Sequence, residues 1–219
     1  MKSSLAAKWF CRLGLLGLVL GLTMVLPSCA SREPTAQDLF YSLDYPAPGG
    51  QGLAKLAASI KVRRFSAAPG WSGSDMYYGS SKLELSSYNF HRWLVSPSDM
   101  VSDFLARDLR AAGVFRAVFS YHETETARFL VQGGVRRIQE LDHKDGAKAM
   151  LAVSVMLIDS EKSAVDQRVV FQRWYRAEHP MADKEARSLA KAMGQAMSKL
   201  SAAILADVHK AVSQRLGKQ

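Results

Sequence analysis

The residue types that hold metal ions or catalyse hydrolysis are scattered along this 219-residue chain. A zinc protease would carry two histidines four positions apart on one helix, with a glutamate between them. No such pair exists among the five histidines, which are His91, His122, His143, His179 and His209, and both cysteines precede residue 30. The sequence therefore predicts neither a metal site nor a bound cofactor.

A serine nucleophile is also poorly supported. The stretch Gly70-Trp71-Ser72-Gly73 is similar to a nucleophile elbow, but its second glycine comes one position too early and no strand-turn-helix pattern surrounds it. Glu123 and Glu125 form a carboxylate pair in a polar, turn-like stretch, where solvated loop charges are expected. Because no acid, base and electrophile come together, we expect a protein that is not an enzyme.

The thiol of Cys29 is the exception, since its surroundings indicate a covalent modification. Leu26-Pro27-Ser28-Cys29 resembles a bacterial lipobox, in which an aliphatic residue stands three positions before the cysteine and a small residue directly before it. In that motif the sulfur accepts a diacylglyceryl group as a thioether, and a signal peptidase cuts before the cysteine. An ordinary secretory signal with an incidental cysteine is the alternative.

The residues before Cys29 are typical of a signal peptide. Lys2, Lys8 and Arg12 precede an uncharged stretch, Leu13 to Leu26, which at 14 residues is shorter than the roughly 20 needed to span a bilayer. We therefore expect a signal peptide at 1–28, a lipidated tether at 29–39 and a folded domain at 40–219. Acyl chains, at about 0.8 kcal/mol per buried methylene, would anchor this domain to membrane lipid.

Compartment and charge follow from this cleavage. The cysteine is followed by Ala30 rather than by the aspartate that resembles an inner-membrane retention signal, so the expected location is the outer membrane, facing the periplasm. Removal of the signal lowers the net charge from +9 to +6, and the remaining positive residues are dispersed. No nucleic-acid partner is predicted.

The mature sequence predicts one α+β domain with a mostly antiparallel or mixed sheet and two helices. Strands are expected at Ser59–Ser66, at Met76–Tyr78 paired with Leu83–Phe90, from Phe129 to Leu141 with a bulge near Gly133-Gly134, at Met150–Ile158 and at Gln167–Ala177. Met150–Ile158 is almost entirely apolar, as in a central strand that is covered on both faces.

The two helices have clear start signals. Ser96-Pro97-Ser98-Asp99 is typical of a helix N-terminus, and Gly113 stands where that helix should end. The second helix is expected to begin after an Asp183 N-cap and to carry an apolar stripe from Leu189 to Leu216. This stripe indicates packing on the sheet, or alternatively an oligomer seam.

Aromatic residues crowd the stretch from Trp71 to Trp93. Trp71, Tyr77, Tyr78 and Trp93 are the candidates for a partner interface, since tryptophan and tyrosine supply much of the energy at such contacts. The alternative for each is a core position on a strand.

Taken together, these features resemble the family of ABC-type transport auxiliary lipoproteins of the PqiC type. The resemblance extends from about Phe40 to Leu205. The matching features, in chain order, are Cys29, Tyr41-Ser42-Leu43-Asp44, Ile60-Lys61-Val62, Met76-Tyr77-Tyr78, Trp93, Gly113-Val114-Phe115, Gly133, Leu151 to Asp159 and the long last helix.

The resemblance implies a domain similar to the N-terminal domain of TolB. It also implies a non-enzymatic role beside an ABC permease, its ATPase and a substrate-binding protein with mammalian-cell-entry domains, in lipid movement between the two membranes. Family members can form homo-oligomeric rings. The alternative function is an outer-membrane activator or assembly factor for a cell-wall machine.

Overall fold

The computed structural model describes residues 37–81 and 83–217. The predicted signal peptide, Cys29 and nearly all of the tether lie outside these residues. Asp38–Gln219 forms a compact unit with a contiguous hydrophobic core. Within the described part of the chain, no helix has the length and apolar character needed to cross a membrane.

The predicted α+β class with a mixed sheet is confirmed. The strands are β1 (Leu39–Tyr41), β2 (Leu56–Val62), β3 (Ser66–Ala67), β4 (Asp75–Gly79), β5 (Ser86–Trp93), β6 (Phe115–Phe119), β7 (Phe129–His143), β8 (Gly146–Asp159) and β9 (Val169–Pro180). The helices are α1 (Pro97–Ala111), α2 (Val165–Arg168) and α3 (Ala186–Leu216). The strand β6 and the short helix α2 are absent from the sequence-based prediction, which expected two helices.

Strand β7 organises the sheet. One edge of β7 pairs antiparallel with β8, which pairs antiparallel with β9. Its other edge takes three short strands in succession, β2, β3 and β4, all parallel to it. β6 extends the sheet beyond β2, and β5 and then β1 extend it beyond β4.

Both long helices pack on the same side of the sheet. Alternate residues of β8 from Ala149 to Leu157 are fully buried beneath this helical layer. The apolar stripe of α3, including Leu189, Met193 and Val208, is buried in the same core. The stripe therefore packs on the domain's own sheet, as expected.

Helix α1 begins as predicted, whereas α3 does not. Ser96 is the N-cap of α1, its side chain accepts a hydrogen bond from the Asp99 backbone N–H, and Gly113 adopts a positive φ of 65° after the helix. In contrast, α3 starts only after Glu185, which makes no side-chain cap bond. The predicted Asp183 cap is wrong because β9 runs to Pro180 and residues 181–185 are needed for the connection, in which Lys184 pairs with Asp142.

Several predictions about strands are shifted. The strand predicted at Ser59–Ser66 is β2, which runs from Leu56 to Val62, and the strand predicted at Gln167–Ala177 is β9, which runs from Val169 to Pro180. Leu83 is fully exposed and the strand begins at Ser86, so this hairpin arm lies about three residues later than predicted. The bulge in β7 lies between Val135 and Arg137 rather than at Gly133-Gly134, whose pairing with β8 is regular. The residue left unpaired by this bulge is Arg136.

Candidate functional site

The sheet face opposite α1 and α3 is called here the open face. Side chains alternate along a strand, so residues next to the buried ones on β7, β8 and β9 lie on this face. They include Gln132, Ser154, Met156, Gln172 and Trp174. Strand pairing arranges the open face in rows of three residues across β7, β8 and β9, of which two are Gln132–Met156–Gln172 and Gly134–Ser154–Trp174. Lys61 extends the open face on β2.

A depression of about 920 Å³ lies on the open face. Lys61, Arg63, Arg64 and Arg136 are the basic residues in its lining, and Leu130 is one of the apolar ones. None of the described residues that line it is an aspartate or a glutamate. It is therefore a cationic depression with a partly apolar floor.

The bulge determines where Arg136 points. Its Nε donates a hydrogen bond of 3.1 Å to the Ser154 hydroxyl oxygen, and its guanidinium carbon lies 5.1 Å from the ring centroid of Trp174. Bulges redirect a side chain in this way, and a guanidinium over an indole ring gains a cation–π attraction. Trp174 is 67% exposed, so the pair is held in place yet open to solvent.

A second depression of about 450 Å³ continues from the first and shares Arg136 with it. Trp71, Leu85, Trp174 and Arg176 are among its lining residues, and again none of the described ones is acidic. The open face thus carries two adjoining depressions, and two tryptophans, Trp71 and Trp174, line the second.

Most positive charges of the open face have no carboxylate partner in the described chain. Arg63 donates to the amide oxygen of Gln132 at 3.2 Å, and the ammonium of Lys61 donates to the backbone carbonyls of Glu123 and Glu125. Two arginines differ: Arg64 forms an ion pair with Asp99, and Arg176, which lines the second depression, forms one with Glu178. Burial, and then the nearby charge of Arg176, lowers the pKa of Arg137.

The four aromatic candidates have different positions. Trp71 packs edge-on against Tyr77 with 5.4 Å between ring centroids, and Tyr78 tilts against Tyr88 at 5.0 Å; the three candidates in these pairs are partly exposed. Trp93 is only 1% exposed and belongs to the core, so it is not available to a partner. Its strand register places it on the buried side, which the spacing of aromatic residues alone did not reveal.

The residues considered for catalysis do not come together. Ser72 lies in an exposed bend, and over residues 37–81 and 83–217 no group of three or more His, Cys, Asp or Glu side chains is arranged to hold a metal ion. Among the described residues, the open face offers cations and indole rings, which are groups suited to binding an anionic ligand.

Sequence reasoning missed Arg63, Arg136 and Trp174. A signal for Arg136 exists: Val135 and Ile138 are both buried but three positions apart, so one intervening residue must leave the alternation. No comparable signal marks Trp174, because its exposure depends on the absence of a described helix over the open face of β9.

A second exposed surface lies at the sheet edge formed by β1. Phe40 is 59% and Leu94 is 60% exposed, and they are diagonal neighbours because Phe40 pairs with Arg92. Leu39 and Val95 are also exposed there. We call these four residues the apolar edge.

Comparison with known proteins gives both a fold and a family. The structure is similar to that of protein XCC0632 from Xanthomonas campestris, of the DUF330 family, with a TM-score of 0.72, 19% sequence identity, and coverage of 83% of this chain and 100% of that one. It is also similar to an uncharacterized protein at a TM-score of 0.61 and 12% identity, with coverage of 78% and 99%. No curated protein matches the sequence.

These structural similarities, at low identity, establish the fold. The sequence itself matches the family model of the ABC-type transport auxiliary lipoprotein component over residues 41–205. This match covers most of the chain, including α1, α2 and the part of α3 up to Leu205. The protein therefore belongs to the ABC-type transport auxiliary lipoprotein component family.

Proposed function

We propose that this protein is a non-enzymatic accessory subunit of an ABC-type intermembrane lipid transport system, anchored to the outer membrane by acyl chains on Cys29. Its folded domain docks the tip of a substrate-binding partner with mammalian-cell-entry domains, and the permease and ATPase of that system complete the assembly. The mechanism is positional, since docking shortens the aqueous gap that a lipid must cross. A homo-oligomeric ring would repeat the docking surface around the tip.

The observation that carries this proposal is the distance along the chain between the anchor and the family domain. The matched region begins at Tyr41, about 12 residues after Cys29. A fully extended chain spans at most about 3.5 Å per residue, so the tether holds the domain within about 40 Å of the lipid head groups. Such a short tether suits a subunit that acts close to one membrane.

The apolar edge and Ala30 support the same arrangement. Leu39 and Phe40 are the first residues of the fold after the tether, so their exposed apolar surface lies near the anchored end of the chain. Exposed apolar patches of this kind favour contact with a partner or a membrane. Ala30, in place of an aspartate after the cysteine, favours the outer membrane.

The anchor is tested by replacing Cys29→Ser in cells that express the full-length protein. Without the thiol no thioether can form, so we expect the variant to leave the membrane fraction on cell fractionation. Cys11→Ser is the matched control, because Cys11 lies in the predicted signal peptide and its loss should leave the protein on the membrane. A Cys29→Ser variant that stays membrane-bound contradicts the lipid anchor.

The partner is tested by affinity purification from detergent-solubilised membranes, followed by mass spectrometry. Recovery of a protein with mammalian-cell-entry domains together with an ABC ATPase is the expected result. Recovery of a transpeptidase or another cell-wall enzyme instead would assign the protein to the alternative role of an activator or assembly factor.

A further inference from the structure

The open face is the one extended surface of the described sheet that combines unbalanced charge with exposed indole rings. We infer that it is a docking surface for an acidic segment of a partner protein, centred on Arg136 and Trp174. This inference rests on the proposed docking role and adds to it the surface used and the chemistry of the partner. Four steps lead to it.

The first step is charge. Arg63, Arg136 and Lys61 surround the larger depression, and no carboxylate among the described residues forms an ion pair with any of them. A carboxylate placed beside such a group is attracted to it without having to displace another carboxylate. Arginine can also accept a carboxylate in a bidentate geometry.

The second step is preorganisation. Arg136 is already oriented by its hydrogen bond to Ser154 and by its stacking over Trp174, so little side-chain freedom remains to be lost on binding. Tryptophan and arginine are the residues most enriched among the energetic centres of protein interfaces. Trp71, across the smaller depression, supplies a second indole.

The third step compares a protein segment with a lipid. A buried acyl chain gains free energy with each methylene, but only against apolar surface. Most of the residues that line the larger depression are polar or charged, including Gln132, Ser154 and Gln172, although polar and apolar atoms share its surface about equally. Leu130 and Met156 are its partly exposed apolar side chains, too few to cover an acyl chain. Such a lining favours a peptide with carboxylates and amides over an acyl chain.

The fourth step concerns occupants from this chain itself. Residues 1–36 contain the basic residues Lys2, Lys8, Arg12 and Arg32 but only one acidic residue, Glu33. A second copy of the protein carries the same net positive charge, +9 for the full sequence. Neither complements a cationic surface, whereas an acidic partner does.

The test is site-specific photo-crosslinking in cells that express the full-length protein. A benzoylphenylalanine replaces Gln172, which is exposed on β9 and lines the larger depression; the matched control replaces Gln195, which is exposed on α3 behind the sheet. We expect the probe at position 172, but not the one at 195, to form an adduct with another protein. The cross-linked peptide of that protein should carry a net negative charge.

Charge variants show whether the contact depends on the open face. The double variant Arg63→Gln/Arg136→Gln should reduce the yield of the 172 adduct at least about tenfold, because loss of charge complementarity weakens binding. The double variant Arg116→Gln/Arg187→Gln makes the same change in net charge at exposed positions that line neither depression, and it should leave the yield unchanged.

Several outcomes overturn the inference: no adduct from position 172, an adduct with lipid or with a second copy of this chain, or a yield that the open-face variants do not alter. The transport role fails separately. An acidic, charge-dependent adduct with a protein outside any ABC system would retain the docking surface and reject the proposed function. Purification of the transport subunits without an adduct from position 172 would retain the proposed function and reject the docking surface.

Discussion

At the scale of single residues, the ion pair between Arg128 and Asp159 secures the end of the β7–β8 pair. Both carboxylate oxygens of the fully buried Asp159 accept hydrogen bonds of 3.1 Å from the guanidinium of Arg128. Burial by itself raises the pKa of Asp159, but these hydrogen bonds and the positive charge outweigh it and lower the pKa below its ordinary value of 3.8. The charged form therefore stabilises the fold.

We expect Asp159→Asn to lower the free energy of unfolding by about 2 kcal/mol at pH 7, because the guanidinium of Arg128 loses its buried carboxylate partner and keeps only the exposed Glu161. A lowered folded-state pKa contributes stability above the unfolded pKa and loses it as the pH falls through the folded pKa. The difference in free energy of unfolding between wild type and Asp159→Asn should accordingly become smaller below about pH 4. Urea denaturation at pH 7 and in the acid range measures it.

Asp166→Asn is the control for this prediction, since Asp166 is exposed on α2 and forms no ion pair within the described residues. It should change stability by less than about 0.5 kcal/mol. A difference between Asp159→Asn and wild type that stays constant from pH 7 to pH 3 would contradict the assignment of a charged Asp159.

At the scale of elements, helix α1 depends on its first turn. The Ser96 side chain accepts from the Asp99 backbone N–H and donates to the Asp99 carboxylate, which also pairs with Arg64. We expect Ser96→Ala to cost about 1 kcal/mol of unfolding free energy, because a helix N–H loses its acceptor and Asp99 loses a donor. Thermal and urea denaturation both report this loss.

Ser213→Ala is the corresponding control on α3, where Ser213 is exposed near the helix end and caps no N-terminus. Alanine has the higher helix propensity, so this variant should be neutral or slightly more stable than wild type. Equal effects of the two substitutions would show that the Ser96 cap contributes nothing specific.

At the scale of the whole molecule, Gly194 lets the segment that follows β1 lie close against helix α3. A Cβ at this position would stand 2.9 Å from the backbone oxygen of Asp44, between the buried Leu43 and Tyr45. In an open helix, glycine to alanine would stabilise by about 1 kcal/mol. Here we expect Gly194→Ala to destabilise by about 1–3 kcal/mol, because backbone atoms must move.

Hydrogen exchange measures where this strain appears, and we expect faster exchange at residues 43–45 in Gly194→Ala. Gly217→Ala is the control: a Cβ there would meet the Ser213 backbone oxygen at an ordinary 3.5 Å, so exchange at 43–45 should not change. A Gly194→Ala protein as stable as wild type would contradict the close approach of this segment to α3.

The order of strands and helices was predictable from local patterns. The apolar stripe of α3 and the Ser96 cap of α1 depend only on residues that are close together in the sequence. Periodicity and capping chemistry were therefore sufficient to predict them. The lipid anchor at Cys29 is likewise a prediction from a local motif. Strand β6 was missed because its five residues show only weak alternation and it is stabilised by pairing with the distant β2.

The sequence by itself thus determined the fold class and most of the main elements, and from it we predict attachment through Cys29 and docking rather than catalysis. Only the tertiary structure decided that Trp93 is buried, that three short strands share one edge of β7, and that the bulge places Arg136 over Trp174. The physical reason is that these contacts join residues far apart in the chain. Strand register and bulge position bring them together, and local propensity does not encode either one.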